Sequence, residues 1–394
     1  MSDRQELAPW PVYAQDEIDA VVSALESGRG NYWTGSKGAE FEAAFAGACG
    51  TGHAVALANG SLALELALEA CAIGPGDDVI VTPRSFIASA SCAVRVGARP
   101  VFADVCPDSQ NITPDSVRDV LTKSTRAIVA VHHAGWPCDM DGLMDIAAEH
   151  DLIVIEDCAQ AHGARYKGRP VGGLGHVGVF SFCQDKIITT GGEGGMLVTS
   201  DEAIWRRAWS IKDHGKSHDA VFDGQHPPGF RWLHESIGTN MRMTEMQAAI
   251  GLVQLRKLGE WHEQRRANAE RIAATLDRFP SIRVPMPSTD LEHAWYRLYA
   301  FVVAEHLADG WSRDRVLAAL EDNGLPGISG SCPEIYMEQA FAAGGLKPAE
   351  PLPHAHALGR TSLAFLVHPT LTETDLDRIC RDLEHMMQRA TKRS

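Results

Sequence analysis

Short β-branched runs alternate with stretches of helical spacing through the first half of the chain. Asp78-Val-Ile-Val-Thr82, Arg126-Ala-Ile-Val-Ala-Val131, Leu152-Ile-Val-Ile-Glu156, Val177 to Phe182 and Met196-Leu-Val-Thr199 are apolar on both alternations, the pattern of strands buried on both faces. Between them Ser85 to Val96, Pro114 to Leu121 and Gly142 to His150 carry helical spacing or helix-starting residues. This alternation predicts an α/β fold, a mostly parallel central sheet flanked by helices. Ligands of such sheets collect at the carboxyl ends of the strands, so Thr82, His132, Asp157 and Lys186, which follow strand ends, are expected in one cleft.

Further along, Thr244 caps a helical pattern from Glu245 that runs past Arg266. Around Phe279 to Pro287 the texture turns proline-rich, followed by a strand candidate from Tyr296 to Val303 and helices over Ser312 to Asn323 and Thr372 to Arg389. The expected organisation is a large domain over 1–265, with an N-terminal helical segment, and a smaller α+β domain over 266–394.

Composition narrows the class. Hydrophobic residues make up 45% and charged residues 22%, ordinary for a globular protein. A formal charge of −15 argues against nucleic acid or an anionic membrane surface as a partner. Nine cysteines, an odd number with no Cys-x-x-Cys pair, read as reduced thiols and a cytoplasmic location. Met1 to Leu7 has no signal-peptide pattern, and no apolar run reaches the roughly eighteen residues of a membrane helix.

Lys186 is the residue that points to chemistry. It lies between the strand Val177 to Phe182 and the glycine-rich Thr189-Thr-Gly-Gly-Glu-Gly-Gly195. A lysine delivered there by a buried strand is placed to meet a carbonyl compound, and desolvation is expected to lower its pKa toward the neutral, condensing amine. Asp157 ends the strand Leu152 to Glu156; it fits a helix-capping carboxylate, or a counter-ion for a pyridinium nitrogen. Gly60 and Ser61 open the apolar run Leu62 to Ala70 and fit an ordinary N-cap or, with Ser181, a phosphate cradle. A Schiff-base lysine, a ring-nitrogen acid and a phosphate clamp together are what pyridoxal 5′-phosphate demands.

Four ordered segments carry a resemblance: Ala58-Asn-Gly-Ser-Leu-Ala-Leu64, Val154-Ile-Glu-Asp-Cys-Ala-Gln-Ala-His-Gly163, Phe180-Ser-Phe-Cys-Gln-Asp-Lys186 with Gly192-Glu-Gly-Gly195, and Gly238-Thr-Asn-Met-Arg-Met-Thr-Glu-Met-Gln-Ala-Ala249. The chain resembles the DegT/DnrJ/EryC1/StrS family of sugar aminotransferases, which have the aspartate aminotransferase-type fold. The resemblance implies that Lys186 holds the cofactor as a Schiff base and then shuttles a proton, and that Asp157 pairs with the pyridine nitrogen. It implies that Gln160 bonds the ring hydroxyl, that Gly60, Ser61 and Ser181 hold the phosphate, and that Phe86 stacks on the ring, a position otherwise read as a core aromatic. Asn240 is implied to reach the phosphate of a neighbouring subunit, which makes the enzyme a homodimer with shared active sites.

The implied activity is transfer of an amino group from glutamate or glutamine to a keto-sugar, nucleotide-linked in the main reading, for a surface polysaccharide or natural product. A free keto-sugar acid or a cyclitol ketone is the alternative acceptor. A non-catalytic regulatory homologue is the rival outside enzymes, and the intact lysine, aspartate and serines argue against it. Arg231, Arg242 and Arg297 are candidates for holding acidic substrates. Ser329 to Tyr336 departs from the family's usual wording and is expected near the acceptor; Cys158 and Cys183 read as small buried residues, and His162, His176 and His214 as neighbours without a role. His132, His133, Cys138 and Asp139 match no standard zinc spacing, so no metal is expected.

Overall fold

The computed structural model describes residues 7–226 and 228–392; the signal-peptide reading of the first residues therefore falls largely outside the described part. Seven strands form the central sheet: β1 His53–Leu57, β2 Asp78–Val81, β3 Arg99–Phe102, β4 Thr125–Val131, β5 Ile153–Asp157, β6 Val177–Ser181 and β7 Gly195–Thr199. Their order is β1-β7-β6-β5-β4-β2-β3. All neighbours from β3 through β6 are parallel, and β7 alone runs against both β6 and β1. The sheet is mixed and mostly parallel, as the strand pattern predicts.

Helices Gly60–Ala70 and Ala88–Arg95 cover one face, where Leu64, Leu68 and Ala93 pack on Val79, Val81, Val129, Ile155 and Leu197. The other face carries Ile80, Ile128 and Val154 against helix Met140–His150, and Phe180, Met196 and Val198 against Phe41 and Phe45 of helix Lys37–Cys49. Burial on both faces explains why these strands read as continuous apolar runs.

Helix Glu245–Leu276 is 32 residues long and starts at the predicted cap Thr244, which forms a capping box with Gln247. Its carboxyl half supplies Ala269, Ile272 and Leu276 to a second core with Leu298, Ala300, Phe365, Ile379 and Leu383. There a four-stranded sheet runs in the order Ile282–Arg283, Arg297–Val302, Ser362–Leu366, Gly327–Ile328, with all pairs antiparallel. Among the described residues, no helix is long and apolar enough to cross a membrane.

Candidate active site

The carboxyl ends of β5 and β6 and the turn after β1 open onto a cleft of about 760 Å³. Asp157 is the last residue of β5, flanked in register by Val131 and Val179 of its two neighbours. It is buried, yet it lines the cleft floor. Its Oδ2 accepts from the Ser89 hydroxyl at 2.7 Å and its Oδ1 from the Ala159 N–H at 3.1 Å. Neither partner is cationic, so the charge of this carboxylate remains available to a cationic group in the cleft.

The opposite corner is built by close approach. Asn59, not Ser61, caps helix Gly60–Ala70, its side chain accepting from the Leu62 N–H at 2.9 Å. The Ser61 hydroxyl is thereby left out of the cap, on an exposed residue at the positive end of the helix. A Cβ on Gly60 would stand 2.6 Å from Ser181 Cβ, and one on Gly195 would stand 2.4 Å from the Asn59 carbonyl oxygen. Only glycine lets the helix start, the end of β6 and the start of β7 meet this closely. Gly60, Ser61 and Ser181 all face the cleft.

Lys186 reaches the cleft from the turn after β6, its side chain 14% exposed. Its Nζ lies 3.8 Å from Asp185 Oδ1 and 4.9 Å from the centre of the Tyr296 ring. Burial works to lower the pKa of this amine, as expected, but Tyr296, Asp185 and Asp157 outweigh it and the net shift is upward. The expectation of a depressed amine is thus corrected: the acids converging here favour the ammonium form. Burial likewise works to raise the Asp185 pKa, but Lys186, the Tyr296 hydroxyl and Arg297 hold it below the usual range.

Gln160 is buried at the cleft wall, its Oε1 accepting from the Ala134 N–H at 2.7 Å, which leaves its amide nitrogen as the donating end. Phe86 lines the same cleft and is 64% exposed, so it is no core aromatic. The structure therefore brings together Lys186, Asp157, Gln160, Gly60, Ser61, Phe86 and Ser181. Asn240 stands apart: it is exposed, bridged to Asp213, and does not line this cleft.

Two strand-end residues expected in the cleft are absent from it. Thr82 is buried and bonds the Arg84 backbone, while His132 is locked to Glu156 at 2.9 Å and accepts from the Cys138 N–H. Glu156 also accepts from the N–H groups of Gly172, Leu174 and Gly175. Although His132, Glu156 and Cys158 gather their ligand atoms within 4.8 Å, the carboxylate is spent on the backbone and on the imidazole, a structural network. Cys158 is buried as read, whereas Cys183 is only partly buried and lines the cleft.

Of the three arginines, Arg297 lines the cleft, with Nη2 3.5 Å from Asp185 Oδ2 and 3.3 Å from the Tyr296 hydroxyl. Arg242 is paired with Asp213 at 2.6 Å, and Arg231 lies on an exposed stretch outside the cleft. Gly330, Ser331 and Cys332, from the segment with unusual wording, do form part of the wall. Sequence reasoning missed Ser89, Asp185 and Tyr296. Ser89 stands three residues after Phe86, in the first turn of helix Ala88–Arg95, a spacing that could have flagged it.

The fit to pyridoxal phosphate is good on the chain's own geometry. A glycine-lined helix start with an uncommitted serine hydroxyl suits a phosphate, an exposed phenylalanine offers a stacking face, and a buried carboxylate whose hydrogen-bond partners are both neutral suits a pyridinium. Comparison with known proteins agrees. A solved aminotransferase from Psychrobacter cryohalolentis matches with a TM-score of 0.96 and 52% identity, covering 97% of this chain and 99% of that one. GDP-perosamine synthase of Caulobacter vibrioides is 36% identical over 94% of this chain and 95% of its own length. L-glutamine:2-deoxy-scyllo-inosose aminotransferase of Streptomyces fradiae is 39% identical over 82% of this chain and 75% of its own. The family model described as the DegT/DnrJ/EryC1/StrS aminotransferase family matches residues 11–384. With almost every described element inside that match, the chain belongs to the DegT/DnrJ/EryC1/StrS family and is an aminotransferase of the pyridoxal-phosphate-dependent kind.

Proposed function

We propose that this enzyme moves an amino group from glutamate or glutamine to a nucleotide-linked keto-sugar, as a cytoplasmic homodimer with a division between large and small domains near residue 265. The observation that carries the reading is the convergence of the Lys186 amine and the Asp157 carboxylate on one cleft beside the Gly60–Ser181 corner. Bound there, pyridoxal phosphate supplies the electron sink that lets a proton leave the carbon bearing the amino group.

The chain's own residues do the rest. Gly60, Ser61 and Ser181 would hold the phosphate, Phe86 would stack on the ring, and Gln160 would donate to the ring oxygen. Asp157, kept in place by Ser89, would keep the ring nitrogen charged. A cation lodged against Asp157 would also cancel one of the charges that hold the proton on Lys186, helping the amine to its reactive form. Lys186, once free, would carry the proton between carbons as general acid and base. Arg297 is the one arginine lining this cleft among the described residues, and its Asp185 partner lies at a loose 3.5 Å. It is the group best placed to take the donor's carboxylate. The nine unpaired cysteines accord with a reducing compartment.

The acceptor class rests on the Caulobacter relative, whose name specifies a GDP-linked product; the Streptomyces fradiae relative supports a cyclitol ketone as the second reading. Borohydride treatment of the loaded enzyme, followed by peptide mapping, is expected to find the reduced adduct at Lys186, and Lys186→Ala to lose both adduct and turnover. An adduct at another position, or full activity in the variant, would end the proposal. Assay of the aminated enzyme against nucleotide-linked keto-sugars and a keto-cyclitol separates the two acceptors.

A further inference from the structure

The backbone that carries Lys186 is held in place from an unexpected direction. Lys186 sits in an irregular turn between β6 and the glycine-rich loop, where its N–H donates to the Cys183 carbonyl at 3.0 Å. Its own carbonyl accepts from the indole Nε1 of Trp10, 176 residues earlier, at 3.1 Å. Among the described residues no other N–H or O–H donates to that oxygen.

Trp10 is itself boxed on several sides. Trp261, from the long helix, meets it edge-on with ring centres 5.2 Å apart, and His368 lies stacked over it at 6.3 Å. The guanidinium of Arg265 sits 4.9 Å from its ring centre. Arg265 is 1% exposed, and its Nε and Nη2 find no hydrogen-bond partner. Burial pulls the pKa of this arginine down to about 9. A buried guanidinium short of hydrogen bonds is destabilising, and the aromatic face of Trp10 is a principal compensation on view. The strap is also tied to the small sheet's side of the molecule: the Thr370 hydroxyl donates to the Pro9 carbonyl at 2.7 Å. An indole fixed by a helix, a buried cation and the C-terminal region thus ends in one hydrogen bond to the residue that carries the reactive amine.

We propose that Trp10 is a positioning residue for Lys186: its indole N–H fixes the lysine's main chain so that the amine meets the carbonyl carbon of the cofactor at a productive angle. This rests on the reading of Lys186 given above. Loss of the bond would let the turn after β6 relax, leaving the amine free to sample unproductive positions. Trp10 and Arg297 line one larger cavity, but among the described residues no hydrogen bond or ring contact joins them, so donor affinity is expected to change less than the rate.

The test replaces Trp10 site-specifically with benzothienylalanine, in which sulfur stands for the ring N–H, and with 5-fluorotryptophan, which keeps it; Trp10→Phe is a third, encoded variant. Cofactor-free protein is mixed with pyridoxal phosphate, and the rate at which Lys186 becomes trappable by borohydride is followed by mass spectrometry. Benzothienylalanine is expected to slow trapping and kcat by about tenfold, with the donor KM within about twofold of wild type, while 5-fluorotryptophan leaves all three unchanged. Trapping at the wild-type rate with benzothienylalanine overturns the proposal. So does an equal loss in the fluorinated protein, which would make the effect one of packing alone. If Phe fails to fold, the two isosteric analogues still decide. Wild-type enzyme trapped at another lysine sinks the aminotransfer reading instead, and the two failures are therefore distinguishable.

Discussion

Protonating a buried imidazole near Lys186 means adding charge where burial removes most of its hydration. His162 is 1% exposed, between the rings of Phe180 and Phe182, and burial, then Lys186 and Arg265, bring its pKa down to about 3. His293 is lowered to about 3 and His368 to about 4, burial leading in both. In the unfolded chain these rings take up protons near the ordinary histidine value of about 6.5. Between that pH and roughly 4 the unfolded state binds more protons than the folded one, so stability falls as pH falls through this window. Each such histidine adds a slope approaching about 1.4 kcal/mol per pH unit. Urea unfolding between pH 6.5 and 5 is expected to show the steep dependence, and His162→Phe to flatten it by about one histidine's share. An unchanged slope would mean that this ring is already charged or solvated in the native state.

At the level of elements, the site depends on how closely a helix start, a strand end and a glycine loop approach one another. Gly60→Ala places a Cβ 2.6 Å from Ser181 Cβ and 3.1 Å from its hydroxyl oxygen. The helix or the end of β6 has to shift, at an overpacking cost of about 1–3 kcal/mol. Pyridoxal phosphate affinity, measured by equilibrium dialysis, is expected to weaken by at least about tenfold, because the two elements proposed to hold the phosphate lose their relative placement. Affinity within about twofold of wild type would show that the corner does not hold the phosphate. The same elements show what could be read from the chain alone. Strands β2, β4, β5, β6 and β7 were legible because burial on both faces leaves largely apolar runs, and the long helix because Thr244 reads as its cap. β1 and β3 were not, since His53 to Leu57 lacks a β-branched run and Arg99 to Phe102 contains a proline. The convergence of Lys186, Asp157 and the glycine corner on one cleft was legible in the local pattern. Asp185 and Tyr296 were not: they line the cleft beside neighbours supplied by other elements, and nothing in the local sequence marks them, while Ser89 had only its spacing from Phe86. The placing of Thr82 and His132 in the cleft failed for a related reason, because following a strand end does not say whether a side chain turns toward the opening or back into the core.

At the scale of the molecule, Asn240 and the stretch before it lie outside the lining of the chain's own cleft. Phe222, Phe230, Trp232 and Ile237 are 60%, 77%, 86% and 90% exposed, with Phe230 and Trp232 in edge-to-face contact at 4.8 Å. Four large apolar side chains left in water on one stretch are a liability for an isolated chain, and a second copy is the partner that the proposed dimer supplies. In that arrangement Lys186 of one subunit and Asn240 of the other serve the same site, which makes a specific demand on mixtures. Lys186→Ala removes the amine. Asn240→Asp sets a carboxylate against a phosphate, and each variant alone is expected to be inactive or nearly so. A hybrid dimer of the two holds one site carrying both defects and one site carrying neither. Equal mixing by unfolding and refolding makes about half of the dimers hybrids, each with one sound site of two, so activity is expected to return to about one quarter of wild type. A single-chain site allows no recovery at any mixing ratio, since every chain then carries its own defect. Recovery near one quarter, falling as either variant is put in excess, is therefore the signature of an active site assembled from two copies of this chain.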